Sequence, residues 1–496
     1  MNIGLFSIPG LKAPEFDDKL EWINSNNKIK LKDLAGRIVV IDFWTYCCIN
    51  CVHMIPILEK IQEKYENKKV VVIGVHSPKF ESEKSRENVL EAITRYGIKH
   101  PVLLDSNMKT WKEYGASGWP TFVILDPYGK IAAKFSGEIS FENFDRGLQE
   151  LIKKYSNKKM SNKVFNPKLK KIEHAEYLRY PGKIAINKEY IAFTDSGNKR
   201  LVVLDKKRNF IKELYLNKNK NASYQSMPEG LCWINRNELL VCDPISNTIK
   251  KVSVNDELIE IVAGTGKPGG YFKPNEEHIA TKTNLNSPWD LSYDGKTIYI
   301  AQSGTHQILC YDNDNTISHF AGSGHEDLED GSLKHCCFAQ PSGIFFDEKN
   351  KDIYIADSEC SGIRSISIKN RFTSTVVGAG LFVFGDRVGK VSNTLLQHPM
   401  GLCYDNGIIY IADTFNNSIK AIDIKKQVSY SIISQKEKCL CKIDDPECDS
   451  LGLFEPNDVK SDNRYLYITD TNNHLFRIFD KKKKIIRTVK INGKKE

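Results

Sequence analysis

Three cysteines fall within five residues of the segment VVIDFWTYCCINC (Val39–Cys51), namely Cys47, Cys48 and Cys51. A Cys-x-x-Cys pair can exchange electrons with a disulfide: one thiolate attacks a disulfide sulfur, and the second resolves the mixed disulfide that results. A free cysteine with a pKa of about 8.5 is mostly protonated at neutral pH, so its surroundings must favour the thiolate. The apolar run Ile38–Phe43 reads as a strand, and Ile49–Tyr65 carries helix-spaced apolar residues at Met54, Ile57, Leu58 and Ile61. Cys48 is therefore expected at a helix N-terminus, where the helix dipole and unpaired N–H groups oppose its charge. Cys51 is expected one turn later, buried and reaching back. Cys47 is open to three readings: an inert small hydrophobe, a second resolving thiol or a third metal ligand.

The elements that must position this cluster alternate in period up to about Ser156. Val70–Val75 reads as a buried strand and Glu83–Tyr96 as a helix with Val89, Leu90 and Ile93 on one face. A strand follows at Val102–Leu104, a helical turn at Met108–Tyr114, and a β pair at Thr121–Leu125 and Ile131–Phe135 split by a Pro-Tyr-Gly turn. Phe141–Tyr155 closes this half as a helix with Ser140 as its N-cap. Strands alternating with helices argue for an α/β sheet covered on both faces.

Beyond a Lys/Asn-rich connector the helical period disappears and a β-rich unit repeats. Units begin at Pro181, Pro228, Pro288, Pro341, Pro399 and Pro456, with 47 to 60 residues between starts. Five of them carry an aspartate 14 to 16 residues after the proline, Asp195, Asp243, Asp357, Asp413 and Asp470, and the third carries Gln302 at that place. Repeats of this length with about four short strands each indicate propeller blades, and six can close a ring. The aspartates are read as structural, accepting hydrogen bonds from turn N–H groups at strand ends.

The whole chain has 496 residues, 41% hydrophobic and 27% charged, which is multidomain globular composition. Apolar runs such as Val71–Val75 are too short to cross a bilayer. The start MNIGLFSIPG lacks a basic leader region, so no cleaved signal peptide is expected. Thirteen cysteines, an odd number with no leader, point to reduced thiols in the cytoplasm rather than a disulfide framework. The net charge of +9 sits in short runs such as Lys481–Lys484 and reads as a solvated basic surface.

The strand, Asp-Phe-Trp and Cys-x-x-Cys order, with Gly118-Trp119-Pro120-Thr121 before a later strand, resembles thioredoxin-like folds, and the segment between Val75 and Trp119 resembles the TlpA and peroxiredoxin type. That resemblance implies Cys48 as nucleophile and Cys51 as resolver. It implies Asp42 as acceptor of the Cys51 proton, with a carboxylate pKa raised by burial, Trp44 as a supporting residue, and Pro120 in cis beside the dithiol, presenting backbone to an extended substrate. Cys47 stands where an aromatic is usual, and Ile49-Asn50 where Gly-Pro or Pro-Pro is familiar. The six repeats are similar to NHL repeats. Together the halves resemble the NHL repeat-containing protein 2 family, which implies a cytosolic protein, a cleft between the domains and a further β-rich C-terminal domain. The chain stops at Glu496, so that last domain and its function are expected to be missing.

Weaker constellations add little chemistry. Cys439, Cys441 and Cys448 form C-x-C-x6-C without paired metal-ligand geometry and read as free thiols. Adjacent Cys336 and Cys337 read as packing residues, and the Gly-rich pieces Gly264–Gly270 and Gly322–Gly331 as inter-blade loops. The expected organisation is a thioredoxin-like domain over 1–156, a linker over 157–175 and a six-bladed propeller over 176–496. The expected function is a cytoplasmic, monomeric thiol–disulfide oxidoreductase acting on protein substrates docked by the propeller, with no cofactor, metal or membrane. The competing expectation is a redox-inactive scaffold. RNA binding ranks last, because the basic residues do not converge with aromatics on one rim.

Overall fold

In this computed structural model residues 10–66, 68–156, 160–165, 176–216, 226–312, 314–434 and 451–491 are described. The chain divides into two compact units, Met1–Glu173 and His174–Glu496. The first is built on a six-stranded sheet of β1 (Trp22–Ile23), β2 (Ile38–Trp44), β3 (Val70–His76), β4 (Val102–Leu104), β5 (Thr121–Leu125) and β6 (Ile131–Ser136), in the order β1-β4-β3-β2-β5-β6. β2, β3 and β4 run parallel, which requires crossovers, and α1 (Ile49–Tyr65) and α2 (Arg86–Tyr96) supply them. Their continuous apolar runs reflect burial on both faces. Ile38 and Val40 pack with Met54, Leu58 and Ile61 of α1 and with Phe144 and Leu148 of α4 (Phe141–Tyr155). Val39, Ile41 and Phe43 pack on the opposite face with Trp111 of α3 (Lys109–Glu113) and with Tyr114. Ser140 caps α4, accepting from Asn143 N at 3.3 Å.

The second helix starts later than its apolar spacing suggests. Residues Ser82–Lys84 form a short 3₁₀ turn and α2 begins at Arg86. The cause is Glu83, whose carboxylate turns inward and accepts from the backbone N–H groups of Lys79 and Phe80 at 2.8 and 3.0 Å.

The second unit is a six-bladed β-propeller of antiparallel sheets. The innermost strands, Pro181–Ile186, Leu231–Trp233, Pro288–Tyr293, Pro341–Asp347, Gly401–Asp405 and Asp458–Ser461, each touch the next, and the last touches the first. Among the described residues every blade is contiguous chain, and no strand is exchanged where the ring closes. Side chains make that seam: Phe193 stacks on Phe476 at 4.5 Å, Thr471 donates to Pro181 O at 2.7 Å, and Tyr180 N donates to His474 Nδ1 at 3.1 Å. Among the described residues three blades carry one strand more than the four expected. Glu277–Ile279, Gly331–Ser332 and Gly389–Lys390, all in the long connectors, pair with the outer edges of the third, fourth and fifth blades.

The blade aspartates make one bond pattern. Each ends the second strand of its blade, fully buried, and one oxygen accepts from the backbone ahead of the blade's proline: Arg179 N to Asp195, Met227 N to Asp243, Ala339 N to Asp357, Gln397 N to Asp413 and Phe454 N to Asp470, at 2.7 to 3.1 Å. The other oxygen meets a cation from the third strand, Arg200, Lys250, Arg364, Lys420 or Arg477, at 2.7 to 3.3 Å. In the third blade both charges are absent together. Gln302 accepts from Asn286 N at 3.2 Å, Gln307 stands where the first blade has Arg200, and Leu309 where the other four have their cation. A hydroxyl one residue beyond the aspartate (Ser196, Ser358, Thr414, Thr471) or beyond Gln302 (Ser303) donates to the proline carbonyl of the next blade at 2.5 to 2.8 Å. Pro244 occupies that place in the second blade, and there Ser287 donates back to its carbonyl at 3.3 Å.

Candidate functional site

The turn from β2 into α1 places the three cysteines at the C-terminal edge of the sheet. Cys48 is the N-cap of α1 with extended backbone, and its carbonyl accepts from Cys51 N and Val52 N at 3.1 Å. Its side chain is half-buried, with Sγ 3.7 Å from Trp119 O. The Trp119–Pro120 peptide is cis and brings that carbonyl beside the thiol. Cys51 is buried one turn into the helix. Burial, followed by the neighbouring Cys48, pushes its thiol well above the usual range, and Asp42 adds to the shift. Asp42, on β2 beneath the helix, is buried, and burial pushes its carboxyl up to about 8. Its Oδ1 has no hydrogen-bond partner among the described residues.

Cys47 points away into the fold. It is buried, its Sγ lies 4.0 Å from Thr45 Oγ1, and its N–H donates to Glu83 Oε1 at 3.0 Å. Trp44 is buried and packs edge-on against His76 at 5.0 Å. The six residues singled out from sequence thus surround one turn, with Cys48 at its surface and Cys51, Cys47, Asp42 and Trp44 beneath.

Sequence reasoning did not find the groups that hold the turn. Glu83 is buried and takes four donors, the Thr45 hydroxyl and the backbone N–H groups of Cys47, Lys79 and Phe80. Burial still pushes its carboxyl up against the pull of those bonds. Trp119 donates through Nε1 to Ser77 O at 2.9 Å and packs on Trp111 at 4.5 Å. His53, two residues after Cys51, meets Glu138 at 2.7 Å, and Gly137 N donates to Pro120 O at 2.9 Å. A glutamate that opens a helix-spaced run gives no hint that its side chain belongs to a loop 36 residues earlier.

Among the described residues no cluster of three His, Cys, Asp or Glu side chains is arranged to hold a metal ion, and Cys439, Cys441 and Cys448 lie outside those residues. Cys336 and Cys337 are buried. In the propeller a cavity of about 860 Å³ opens at the ends of the inner strands, walled by Trp233, Tyr293, Phe345 and Tyr404. Lys460 lies in it, donating to Leu402 O and Asp458 Oδ1 at 3.0 Å. No helix among the described residues is long and apolar enough to cross a membrane.

Comparison with known proteins bears on both units. Residues 9–134 match the AhpC/TSA family. The chain is 34% identical over 503 residues to Protein SUPPRESSOR OF QUENCHING 1, chloroplastic, of Arabidopsis thaliana, covering 94% of this chain and 46% of that protein. It therefore spans less than half of the plant relative. It is 31% identical over 529 residues to NHL repeat-containing protein 2 of Homo sapiens, covering 97% of this chain and 72% of that protein. Over 142 residues it is 30% identical to Thiol-disulfide oxidoreductase ResA of Bacillus thuringiensis (strain Al Hakam), covering 29% of this chain and 78% of that protein.

Proposed function

The chain belongs to the NHL repeat-containing protein 2 family, and from that premise we propose that its thioredoxin-like unit is a cytosolic thiol–disulfide oxidoreductase acting on protein substrates that the propeller docks. The observation that carries this reading is the contrast between two thiols one helical turn apart. Cys48 is reachable at the helix N-terminus, and Cys51 is buried above a carboxyl that titrates near neutrality.

The Cys48 thiolate attacks one sulfur of a substrate disulfide, forming a Cys48–substrate disulfide and releasing the other substrate sulfur as a thiolate that takes a proton from solvent. Asp42, ionised, then accepts the Cys51 proton. The Cys51 thiolate attacks Cys48 Sγ, and the Cys48–substrate bond breaks as the Cys48–Cys51 bond forms. The substrate disulfide gains two electrons, which the protein dithiol loses, and a dithiol reductant restores the pair. A carboxyl near 8 suits this task, since a general base works best with a pKa close to the operating pH. The ten free cysteines among the described residues support a reducing compartment. The aromatic-walled cavity supports a docking role for the propeller.

The test is a redox titration of the full chain in dithiothreitol buffers, read by peptide mass after thiol trapping. A two-electron transition confined to the Cys48–Cys51 peptide and lost in Cys51→Ser is expected. If all three thiols stay reduced at every poise, or oxidise only irreversibly, the proposal falls.

A further inference from the structure

Two buried carboxyl groups take no part in the exchange steps above, yet both hold the segment that leaves β3 beside the cysteine turn. Glu83 divides its oxygens between two loops. Oε1 accepts from the Thr45 hydroxyl and Cys47 N, in the turn that carries the nucleophile. Oε2 accepts from Lys79 N and Phe80 N, in the segment after β3. Asp105, between β4 and α3, secures the start of that segment. Its Oδ2 accepts from the Ser77 hydroxyl at 3.2 Å and from Trp111 N at 2.8 Å, and its Oδ1 from Thr110 N at 2.9 Å. Ser77 N donates to Trp44 O at 2.9 Å, and the Ser77 carbonyl accepts from Trp119 Nε1 at the same distance.

These contacts close on themselves. Cys48 Sγ lies 3.7 Å from Trp119 O, Trp119 Nε1 reaches Ser77 O, and the chain runs on from Ser77 to Glu83. Glu83 then returns to Cys47, the residue before the nucleophile. Ser77, Glu83 and Cys47 are buried, and Trp111 packs on Trp119. A closed circuit holds its members more tightly than an open chain of the same bonds, because no link shifts without straining the rest. Attack on a disulfide needs the sulfur in line with the S–S bond, and an extended substrate is located by pairing with backbone. The spacing between Cys48 Sγ and the Trp119–Pro120 backbone therefore decides whether a docked disulfide meets the thiolate.

We propose that Glu83 and Trp119 are positioning residues in one closed circuit of contacts, which fixes Cys48 Sγ against the Trp119–Pro120 backbone for attack on a bound disulfide. This role rests on the reading of Cys48 as nucleophile. The bonds made and broken are those of the exchange already described, and the circuit sets only where the sulfur stands. Glutamine at position 83 keeps the side chain's size but turns one acceptor oxygen into an NH₂ group facing backbone N–H donors, so one arm of the circuit opens. Phenylalanine at position 119 removes the indole N–H and opens it at Ser77.

The test is a double-mutant cycle in the full chain, read with two reagents. One is a pair of short linear peptides joined by a single disulfide, which must be placed; the other is iodoacetamide, which needs no placing. Glu83→Gln and Trp119→Phe should each slow peptide-disulfide exchange about tenfold and leave alkylation of Cys48 within about twofold. The double variant should fall no further than the slower single one, because either change opens the same circuit. The Trp119 indole proton, identified by its loss in Trp119→Phe, should exchange with solvent faster in Glu83→Gln. If Glu83→Gln does not fold, Thr45→Val, which removes one donor to Glu83, replaces it in the cycle with the same expectation. Losses that multiply to about a hundredfold in the double variant overturn the circuit. An equal loss of alkylation overturns the positioning role, since the change then acts on the thiol itself. Absence of any exchange in the natural protein sinks the oxidoreductase reading instead. The indole proton then decides the circuit: faster solvent exchange in Glu83→Gln upholds it, and an unchanged rate overturns it.

Discussion

Asp42 and Asp357 are both sealed from solvent, one under the Cys48 turn and one at a blade's strand end, yet burial leaves them in different states. Asp357 has Arg364 at 3.3 Å and Ala339 N at 2.7 Å, and burial raises its carboxyl to about 6 against those partners. Asp42, moved by burial alone, reaches about 8. In Asp243, burial is outweighed by Lys250 and Ser226, and the carboxyl falls below its ordinary value. Each of these blade aspartates has a cation at 2.7 to 3.3 Å, and Asp42 has none among the causes of its shift. A carboxylate paired with a cation and a backbone N–H serves as a strut between strands. One without a cation changes protonation near neutral pH, which a proton acceptor must do. The thiols divide in the same way: Cys48 is half-buried at a helix end, whereas burial pushes Cys232, Cys242 and Cys403 up in the blades.

Four experiments break or sharpen this contrast. The largest effect belongs to Cys48→Ser, which should reduce disulfide exchange by at least about a thousandfold if, as proposed, Cys48 forms the covalent intermediate. Changing Cys403 to Ser should leave the rate within about twofold, and an equal loss there would erase the distinction between the two sets of thiols. Second, Arg364→Met strands a fully buried aspartate and should cost about 3–5 kcal/mol in denaturant unfolding. Joining it to Asp357→Gln removes both charges, as in the third blade, and should recover most of that loss. Third, Asp42→Asn should stabilise the chain while slowing resolution. The folded-state pKa of Asp42 lies above the unfolded value, so its contribution is fully present below about pH 4 and is lost as pH rises toward 8. The gain in thermal midpoint should therefore be larger at pH 9 than at pH 5, and a flat difference would mean that the carboxyl is not perturbed. The smallest effect is Thr471→Val at the ring seam, about 1 kcal/mol, readable as a small drop in denaturation midpoint.

What was legible in the sequence follows from how local each signal is. The strand, the cysteine turn and α1 are contiguous, so Cys48 and Cys51 could be placed from one stretch of chain. Pro120 could be set beside them only through a resemblance, because 72 residues separate it from Cys48. Glu83 was read as the first residue of a helix, since period alone does not show a side chain turning inward. The blade aspartates were legible from repetition, whereas their cations stand at two different spacings and form a weaker pattern. The signal was available: a basic residue follows each aspartate by five or seven positions, and it disappears in the one repeat that has glutamine. The outer strands of the third, fourth and fifth blades were not legible, because two or three residues inside Gly-rich connectors carry no alternation to detect.

Because no strand is traded between the first and last blades among the described residues, the seam between Phe193 and Phe476 joins complete four-stranded sheets, with Thr471 and Pro181 bonded as at most other junctions. The place where the chain enters and leaves the ring is therefore an accident of gene order rather than a requirement of the architecture. A circularly permuted propeller, cut in the connector before the fifth blade and rejoined across the old seam, should fold to the same ring. During synthesis each sheet is whole as soon as its last strand emerges, so the ring can be assembled one blade at a time, with the seam as its final step.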